Sequence, residues 1–352
     1  MDTTPVIDDA LKLLGRTDPN ARDNLTTALT AQDLIKTHRA LSPQPLVCVD
    51  GAVASTQTDV LLWTAATAAN SDNDHSIIHQ GVAPIGPSTD RLRSAMMALC
   101  EMEMALYASK SAETVWMDGG LSTPLISVST ALSGTDLSAV PALDALLERT
   151  NAPKIIHHYT QLAQSGRLRA LPKQDTATGY AEKWKQLPGL DDSTQLWVGD
   201  RADRALAYAV LTPGQFLAPR RAVEAQRVKI RTNDQAGDAV SRWVEKLNPQ
   251  FENWRSHVHA YVTYGMPERG PGRPVKVEFT IRRDEDANDA AQASVEVASS
   301  HISGAQIVEP LPQFLVDATA KRQVTAEMLN LMTIAEQHLG GHHPEAVNAY
   351  RS

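Results

Sequence analysis

The sequence predicts a mixed α/β protein, and three observations support this prediction. Short apolar runs rich in β-branched residues occur early, in the middle and late in the chain, as expected for buried strands. Segments with apolar residues at helical intervals lie between these runs and after them. Apolar residues make up 42% of the 352 residues and charged residues 21%, which is typical of a globular protein. Strands mixed with helices argue against a helical bundle and against a β-sandwich.

The first elements follow from local patterns. Residues 1–40 are polar, with leucines at helical intervals, and predict a helical region. The run LVCVD at 46–50 predicts a buried strand that ends at Asp50, where Gly51 would allow a sharp turn. The apolar run at 60–69 is expected to pair with that strand, and residues 70–87 predict strand fragments and loops.

A long helix is predicted to begin at Ser88 and, being apolar on most of its circumference, to lie buried against a sheet. The run TVWMDGG at 114–120 predicts a second short strand, which ends in Asp118-Gly119. The remaining elements are predicted in this order: helix around 140–165, a strand running into a loop at 170–180, a strand and then a helix at 196–211, a hairpin of 257–265 with 274–283, and helix from Gln313.

We expect three parts along the chain: an N-terminal helical region at 1–40, a core domain at 41–335, and a flexible Gly- and His-containing tail at 336–352. The sequence has no apolar run of about 18 residues, the length a membrane helix needs. Its acidic N-terminus is unlike a signal peptide, and two cysteines exclude a disulfide scaffold. A cytoplasmic protein is the expectation.

Carboxylates at the two predicted strand ends are the most informative feature. Each Asp-Gly alone is typical of a tight turn, but Asp50 and Asp118 flank a helix that carries Glu101 and Glu103 among apolar residues. No Lys or Arg occurs at 94–109 to pair with these glutamates along the helix. A divalent ion held by both aspartates and one glutamate would explain the pattern, and oxygen ligands suit Mg²⁺ or Mn²⁺. Such an ion supports phosphodiester hydrolysis.

Seven segments, found in the same order along about residues 45–330, are similar to motifs of the NurA nuclease family. They are VDGA (49–52), ALCEMEMALYA (98–108), WMDGGL (116–121), LPKQDT (171–176), DRALAYAVLTPGQFL (203–217), the pair VHAYVTYG and VKVEFT with Glu278, and PLPQFLVDATAKR (310–322). The resemblance implies a ribonuclease H-like mixed sheet flanked by helices, with helical elaborations at both ends of the chain, so that 41–335 would be the nuclease domain.

The resemblance also implies an activity and partners. It implies a Mn²⁺- or Mg²⁺-dependent deoxyribonuclease that works with a hexameric HerA-type ATPase and forms a homodimer around DNA, in DNA repair or in defence against phage. Asp50, Glu101 and Asp118 would be its catalytic and metal-binding residues. Helical periodicity does not decide whether Glu101 or Glu103 is the functional glutamate of the helix, and the Glu-x-x-x-Ala spacing favours Glu101. The sequence has no ATP-binding glycine loop, so ATP hydrolysis would come from the partner.

The sequence departs from the family pattern near its C-terminal end. Thr319 stands where the family has His or Asp, and Leu311 stands where it has Tyr. Asp317 is a possible fourth acidic group, but two residues correspond to about 200° around a helix, so the helix would have to turn it inward. The alternative is a catalytically weak or silent subunit that clamps DNA for the translocase.

DNA contacts are expected at a basic stretch in an otherwise acidic chain of net charge −8. Residues 201–231 contain seven basic side chains and two acidic ones. We expect Arg220 and Arg221 to contact phosphates, together with Arg227, Lys229 and Arg231. Lys173, in the strand motif with a lysine, is a further candidate for a DNA contact.

Overall fold

The computed structural model describes residues 20–39, 43–134, 136–173, 177–223, 228–230, 238–269, 272–302 and 309–348. Ten strands lie in these ranges and form one mixed sheet. They are β1 (Ile35–Thr37), β2 (Val47–Gln57), β3 (Leu61–Asn70), β4 (Ser76–Pro84), β5 (Val115–Asp118), β6 (Leu168–Leu171), β7 (Gln215–Leu217), β8 (Arg220–Arg221), β9 (His259–Met266) and β10 (Val275–Ile281).

Helices precede, connect and follow the strands. They are α1 (Ala21–Ala31), α2 (Thr89–Ala108), α3 (Thr123–Gly134), α4 (Val140–Arg149), α5 (Ala152–Gln164), α6 (Gly179–Trp184), α7 (Asp192–Gly199), α8 (Asp203–Val210), α9 (Asp238–His257), α10 (Ala287–Ser300) and α11 (Leu311–Leu339), with a 3₁₀ turn at Pro344–Ala346. The prediction of a mixed α/β architecture is therefore confirmed. None of the helices in the described part of the chain has the length and apolar character needed to cross a membrane.

The strand order is β1-β7-β9-β10-β6-β5-β2-β3-β4, and β8 pairs with β9 beside this path. Strands β2, β3 and β4 form an antiparallel meander, whereas β5 and β6 join β2 in parallel. Because Val49 pairs with Met117 across β2 and β5, the next residues, Asp50 and Asp118, lie side by side on neighbouring strands. The expected mixed sheet flanked by helices is present, with acidic residues on adjacent strands and on a facing helix.

The two faces of the sheet are covered by different long helices. Alternation along each strand directs Val49 and Met117 towards the core beneath α2, and Cys48 and Trp116 towards the core beneath α11. Asp50 therefore lies on the α11 face. Helix α2 covers the other face, so a carboxylate on α2 can reach Asp50 only by passing through the sheet at β2.

The strand that carries Asp50 does not end there, contrary to the expectation of a turn at Gly51. Strand β2 continues to Gln57, and Gly51 pairs with Ala68 inside the β2–β3 ladder. Gly119, by contrast, has φ +93°, so the turn predicted after Asp118 is confirmed.

The strand expected in the first half of 196–211 is wrong, because that region forms the two short helices α7 and α8. Asp191 Oδ1 accepts a hydrogen bond of 2.7 Å from the Thr194 amide and so begins a helix. Leu196 is 68% exposed while Val198 is buried, so these two apolar residues lie on different faces of the helix and not on one face of a strand. The other helices predicted after Ser88, and the late hairpin, are present.

Both ends of the described chain pack against the sheet. β1 pairs with β7 in the same sheet, so residues before position 40 contribute to it directly. Near the other end, the indole nitrogen of Trp63 donates a 2.8 Å hydrogen bond to the carbonyl oxygen of Ala346, which is buried. The helix expected within residues 1–19 lies outside the described residues.

Candidate metal centre

Three aspartates meet where β2, β5 and α11 come together. One carboxylate oxygen from each of Asp50, Asp118 and Asp317 lies within 4.8 Å of the other two. Asp50 is 5% exposed, and the other two are partly buried. Three carboxylates this close repel one another unless protons or a cation intervene.

Asp50 has one oxygen satisfied and one available. Its Oδ1 accepts a 2.7 Å hydrogen bond from the Gly51 amide. Its Oδ2 is buried and has no hydrogen-bond partner among the described residues. Burial raises the pKa of Asp50, and the nearby charge of Asp118 raises it further. A buried carboxylate oxygen without a donor is the group that a cation would satisfy.

Glu101 reaches this cluster through the gap that Gly51 leaves in the strand. A Cβ atom at position 51 would lie 2.7 Å from both Cγ and Oε1 of Glu101 and 2.9 Å from Cγ of Met97. Glu101 is 7% exposed. Burial raises its pKa well above the usual value, and the charges of Asp50 and Asp118 add to this. The glycine therefore serves close approach rather than the turn expected from the sequence.

Glu103 points elsewhere. Its Oε2 lies 3.1 Å from Nε2 of His79, and its side chain is 40% exposed. It lines a different cavity, together with Tyr107 and Lys110. Of the two glutamates left open by helical periodicity, Glu101 is the one that lines the cavity of the aspartates.

Two side chains hold Asp118. Lys173 Nζ lies 2.9 Å from Asp118 Oδ2 and 3.2 Å from Glu309 Oε2, so it bridges the two carboxylates. Burial alone would lower the pKa of Lys173, but these carboxylates raise it overall. Gln313 Nε2 donates to Asp118 Oδ1 at 2.6 Å and to the Leu171 carbonyl at 3.2 Å. Gln313 is a positioning residue that the sequence interpretation missed.

Asp317 comes into the site because of its spacing from Gln313. Residues four apart lie on one face of a helix, and Gln313 is almost fully buried against the sheet. Asp317 therefore borders the same contact region, and Lys321 Nζ pairs with its Oδ2 at 2.8 Å. Burial raises the pKa of Asp317, but hydrogen bonding from Lys321 and the charge of Lys173 bring it below its usual value. The helix is therefore oriented so that Asp317 faces Asp50 and Asp118, as a fourth acidic group would require.

A second pair of charged residues enters the site from β10. Lys276 Nζ lies 3.2 Å from Glu278 Oε1, and Glu278 Oε2 accepts a 3.0 Å hydrogen bond from the Leu121 amide. The sequence interpretation noted Glu278 but missed Lys276. The available signal was the alternation of charged and apolar residues in VKVEF, which places both charges on one face of the strand.

These groups line one open cavity of about 580 Å³. Its charged lining residues are Asp50, Glu101, Asp118, Asp317, Glu278, Lys173 and Lys276. The carboxylates of Asp50, Glu101, Asp118 and Asp317 come from β2, β5, α2 and α11, whereas the two lysines, together with Glu278, come from β10 and from the residues after β6. The cavity can therefore hold a cation and present ammonium groups to an anion beside it.

The arginines expected to contact DNA are not part of this cavity. Arg220 is 8% exposed, and its Nη2 lies 3.1 Å from Oδ2 of the fully buried Asp203. This placement corrects the expectation for Arg220, because the guanidinium is already used in an internal ion pair. Arg221 is exposed beside His259.

Arg221 is not among the described residues that line the cavity. It pairs with Tyr261 of β9, which pairs with Phe279 of β10. Lys229 is exposed. Arg227 and Arg231, and Asp175 of the LPKQDT motif, lie outside the described residues.

No protein-family model matches the chain, and no curated protein matches it either. The NurA nuclease from Sulfolobus solfataricus, known from a crystal structure, superposes with a TM-score of 0.51 at 14% identity, over 95% of this chain and 97% of that one. A second NurA crystal structure gives a TM-score of 0.56 at 11% identity, over 98% of this chain and all of the other.

The chain has the NurA fold. The resemblance noted from seven short motifs is thus confirmed for the fold along nearly the whole chain. A crystal structure of NurA with manganese also matches, with a TM-score of 0.51 at 12% identity over 96% of this chain. At these identities, what the NurA fold establishes is the arrangement of strands and helices that brings the acidic residues together.

Proposed function

We propose that the protein is a divalent-metal-dependent deoxyribonuclease that hydrolyses phosphodiester bonds at the site formed by Asp50, Asp118, Asp317 and Glu101. The observation that carries the proposal is the set of three aspartate oxygens within 4.8 Å of one another. One of the three aspartates, Asp50, is buried, and no described residue donates a hydrogen bond to its Oδ2. The NurA fold supports the same conclusion, and Asp50, Glu101 and Asp118 lie in the sequence segments that resemble NurA motifs.

The donor set fits a hard cation. In the described part of the chain, four carboxylates and no thiolate or imidazole line this end of the cavity, and oxygen ligands of this kind are those that Mg²⁺ and Mn²⁺ prefer. Asp50, Asp118 and Asp317 would hold the ion, with Glu101 beside them. When bound, such an ion lowers the pKa of a coordinated water and stabilises the leaving oxygen.

The lysines of the cavity would act on the substrate. Lys173 and Lys276 line the same cavity as the carboxylates and carry ammonium groups. An ammonium in this position can donate hydrogen bonds to phosphate oxygens and so orient the scissile group next to the carboxylates. Gln313 keeps Asp118 directed into the cavity through its 2.6 Å hydrogen bond.

The proposed substrate is DNA, and the proposed partners are a second copy of the chain and a HerA-like hexameric ATPase. The sequence motifs shared with NurA nucleases support these partners. The chain contains no ATP-binding glycine loop of its own, so translocation along duplex DNA would depend on the ATPase.

The test is cleavage of linear duplex and single-stranded DNA with Mn²⁺, Mg²⁺ or EDTA, with and without the ATPase. We expect cleavage by the wild type with metal and its loss in Asp50→Asn and Asp118→Asn. Glu103→Gln, which changes a carboxylate outside the cavity, is the matched control and keeps its activity. DNA binding without any cleavage by the wild type would instead support the alternative of a clamp subunit.

A further inference from the structure

A second cavity adjoins the candidate metal centre on the side of β6 and β10. It has a volume of about 230 Å³ and shares Pro172, Lys173 and Lys276 with the first cavity. We call it the flanking pocket. Arg204 and Arg273 complete its basic lining.

The charge of the flanking pocket is opposite to that of the metal centre. Among the described residues, Lys173, Arg204, Arg273 and Lys276 line it, and Glu309 is the one acidic residue. The whole chain carries a net charge of −8. Four cationic side chains around one small cavity therefore make this region much more basic than the protein as a whole. A concentration of cationic donors around an open cavity favours an anion.

Three of these cations are held in place by the protein. Arg204 donates from Nη1 to the Lys173 carbonyl at 2.7 Å and from Nη2 to the Pro172 carbonyl at 2.8 Å. Lys173 is paired with Asp118 and Glu309, as described above. Lys276 is paired with Glu278 and is only 9% exposed. These three side chains are therefore held in position before any ligand binds, which lowers the entropic cost of binding.

Arg273 differs from these three. It precedes β10 by two residues, is exposed, and has no hydrogen-bond or ion-pair partner among the residues that the structure describes. Pro172, Pro274 and Pro310 form part of the surrounding wall. Proline restricts the backbone of each of these segments. Among the described residues, Arg273 is the cation of the pocket whose guanidinium is not already bound to another group.

We propose that the flanking pocket binds a phosphate group of the DNA strand next to the scissile phosphate, with Arg273 donating to it. The inference rests on the proposed nuclease function, since it places one phosphate beside the carboxylates and the neighbouring phosphate in the pocket. Two adjoining cavities, one acidic and one basic, that share two lysines suit two consecutive phosphates of one strand.

The bound phosphate can come from two sources. It is either an internal phosphodiester or a terminal phosphate monoester at the end of the strand, and both present the same oxygens to Arg273. Strands of one sequence, carrying or lacking a terminal phosphate at the 5′ or the 3′ end, distinguish these sources. A loss of affinity confined to the phosphorylated strands identifies the monoester, whereas an equal loss for all strands identifies the internal phosphate; either result supports the pocket.

The experiment compares Arg273→Ala with Arg283→Ala in the full chain. Arg283 follows β10 by two residues and is also exposed, so the two variants remove equivalent charges from opposite ends of one strand. Binding of single-stranded oligonucleotides is measured in EDTA, by competition with a dye-labelled strand at several salt concentrations. Because the assay contains no divalent ion, it does not depend on cleavage.

We expect Arg273→Ala to weaken binding several-fold and to flatten the slope of log affinity against log salt by about 0.7, the value for one phosphate contact on a single strand. Arg283→Ala leaves the slope unchanged. A slope in Arg273→Ala equal to that of the wild type overturns the proposal. An equal loss in both variants overturns it as well, because the effect would then be general charge and not the pocket.

A second measurement separates this proposal from the proposed function. Thymidine 5′-(4-nitrophenyl phosphate) contains a single phosphodiester and no flanking phosphate. With Mn²⁺ we expect Arg273→Ala to hydrolyse it like the wild type, while its KM for an oligonucleotide rises several-fold. If the wild type binds strands with the expected Arg273 dependence but hydrolyses neither substrate, the nuclease proposal fails and the pocket remains.

Discussion

Glu101 lies directly against Gly51, in the one position on β2 where a side chain is missing. A Cβ atom there would approach Glu101 Oε1 to 2.7 Å, well inside van der Waals contact. The carboxylate of a helix on one face of the sheet thereby reaches an aspartate on the other face. The residues before and after the glycine remain paired with β3, so the gap in the sheet is only the missing side chain of Gly51.

Gly51→Ala is therefore expected to displace Glu101 and to disturb Met97. The added methyl group must be accommodated within a packed region, which typically costs about 1–3 kcal/mol of the free energy of unfolding. We expect nuclease activity to fall by about tenfold or more while the protein still folds, as measured by cleavage assays and thermal unfolding. Ala52→Gly, at the next residue of the strand, is the control for backbone effects. Wild-type activity in Gly51→Ala would show that Glu101 has room to move.

The two helix glutamates give a direct comparison. Glu101→Gln changes a carboxyl group in the cavity of the aspartates, whereas Glu103→Gln changes one that faces His79. We expect Glu101→Gln to lower Mn²⁺-dependent cleavage by about 100-fold, at least the cost of disturbing groups around a metal site. Glu103→Gln keeps cleavage within about twofold, a smaller effect than any of the site variants. The opposite order of activities would show that Glu103, and not Glu101, is the helix glutamate on which cleavage depends.

The stability of the metal-free protein is expected to fall as the pH rises. Burial and the charge of Asp118 raise the pKa of Asp50 from 3.8 to about 8. The folded protein therefore binds this proton more tightly than the unfolded chain does, so the stabilisation is present below pH 4 and is lost as the pH rises through 8. The pKa of Glu101 is also raised by burial, so this residue contributes to the same loss of stability with rising pH.

Asp50→Asn tests this dependence. In EDTA at pH 8 we expect the variant to unfold at least about 2 °C above the wild type, a shift that corresponds to about 1 kcal/mol. The difference shrinks towards pH 5. Adding Mn²⁺ stabilises the wild type and not the variant, because only binding to the folded state shifts the equilibrium. A variant less stable than the wild type in EDTA at pH 8 would contradict mutual repulsion among these carboxylates.

The sequence predicted the parts of this site that depend on local chemistry. Asp50 and Asp118 could be identified because each follows an apolar strand, and parallel pairing of those strands brings them together. Gln313 could not be identified, since an uncharged residue at the start of a helix carries no sign of the contact it makes across the fold. Lys276 was hidden in an alternating strand, where a charged residue is ordinarily a solvent-facing one.

The same reasoning explains why Gly51 was misinterpreted. Asp-Gly is a frequent turn pair, and nothing in the local sequence shows that a helix about 50 residues later packs a glutamate onto this glycine. Arg220 was misinterpreted for a related reason, because charge clustering along the chain does not show which guanidinium finds a buried partner.

Gln313 offers a test of positioning without a change in charge. Gln313→Leu removes the donor to Asp118 Oδ1 and to the Leu171 carbonyl while keeping a side chain of similar size. We expect the Mn²⁺ concentration for half-maximal cleavage to rise about 10- to 100-fold, as is typical for residues that orient metal ligands. Cleavage at saturating Mn²⁺ changes much less. Thr319→Ala on the same helix is the control, and an equal effect in both variants would assign the change to the helix as a whole.

Arg220 is expected to act on stability and not on DNA. Asp203 is fully buried, its carboxylate accepts hydrogen bonds from the Tyr180 and Ala181 amides, and Arg220 is its ion-pair partner. Arg220→Met leaves that carboxylate without a counter-charge, which typically costs about 3–5 kcal/mol. Burial already raises the pKa of Asp203, and Arg220 opposes this shift. Without Arg220 the pKa is higher still, so the loss of stability is larger at pH 8 than at pH 5.

The double variant Arg220→Met with Asp203→Asn separates the pair from its surroundings. We expect it to recover a large part of the lost stability, because the buried charge is removed together with its partner. Arg221→Ala, at the neighbouring exposed position, changes the free energy of unfolding by less than about 0.5 kcal/mol. Thermal and denaturant unfolding measure all three variants. A stable Arg220→Met protein with a flattened salt dependence of DNA binding would return Arg220 to the DNA-contacting surface.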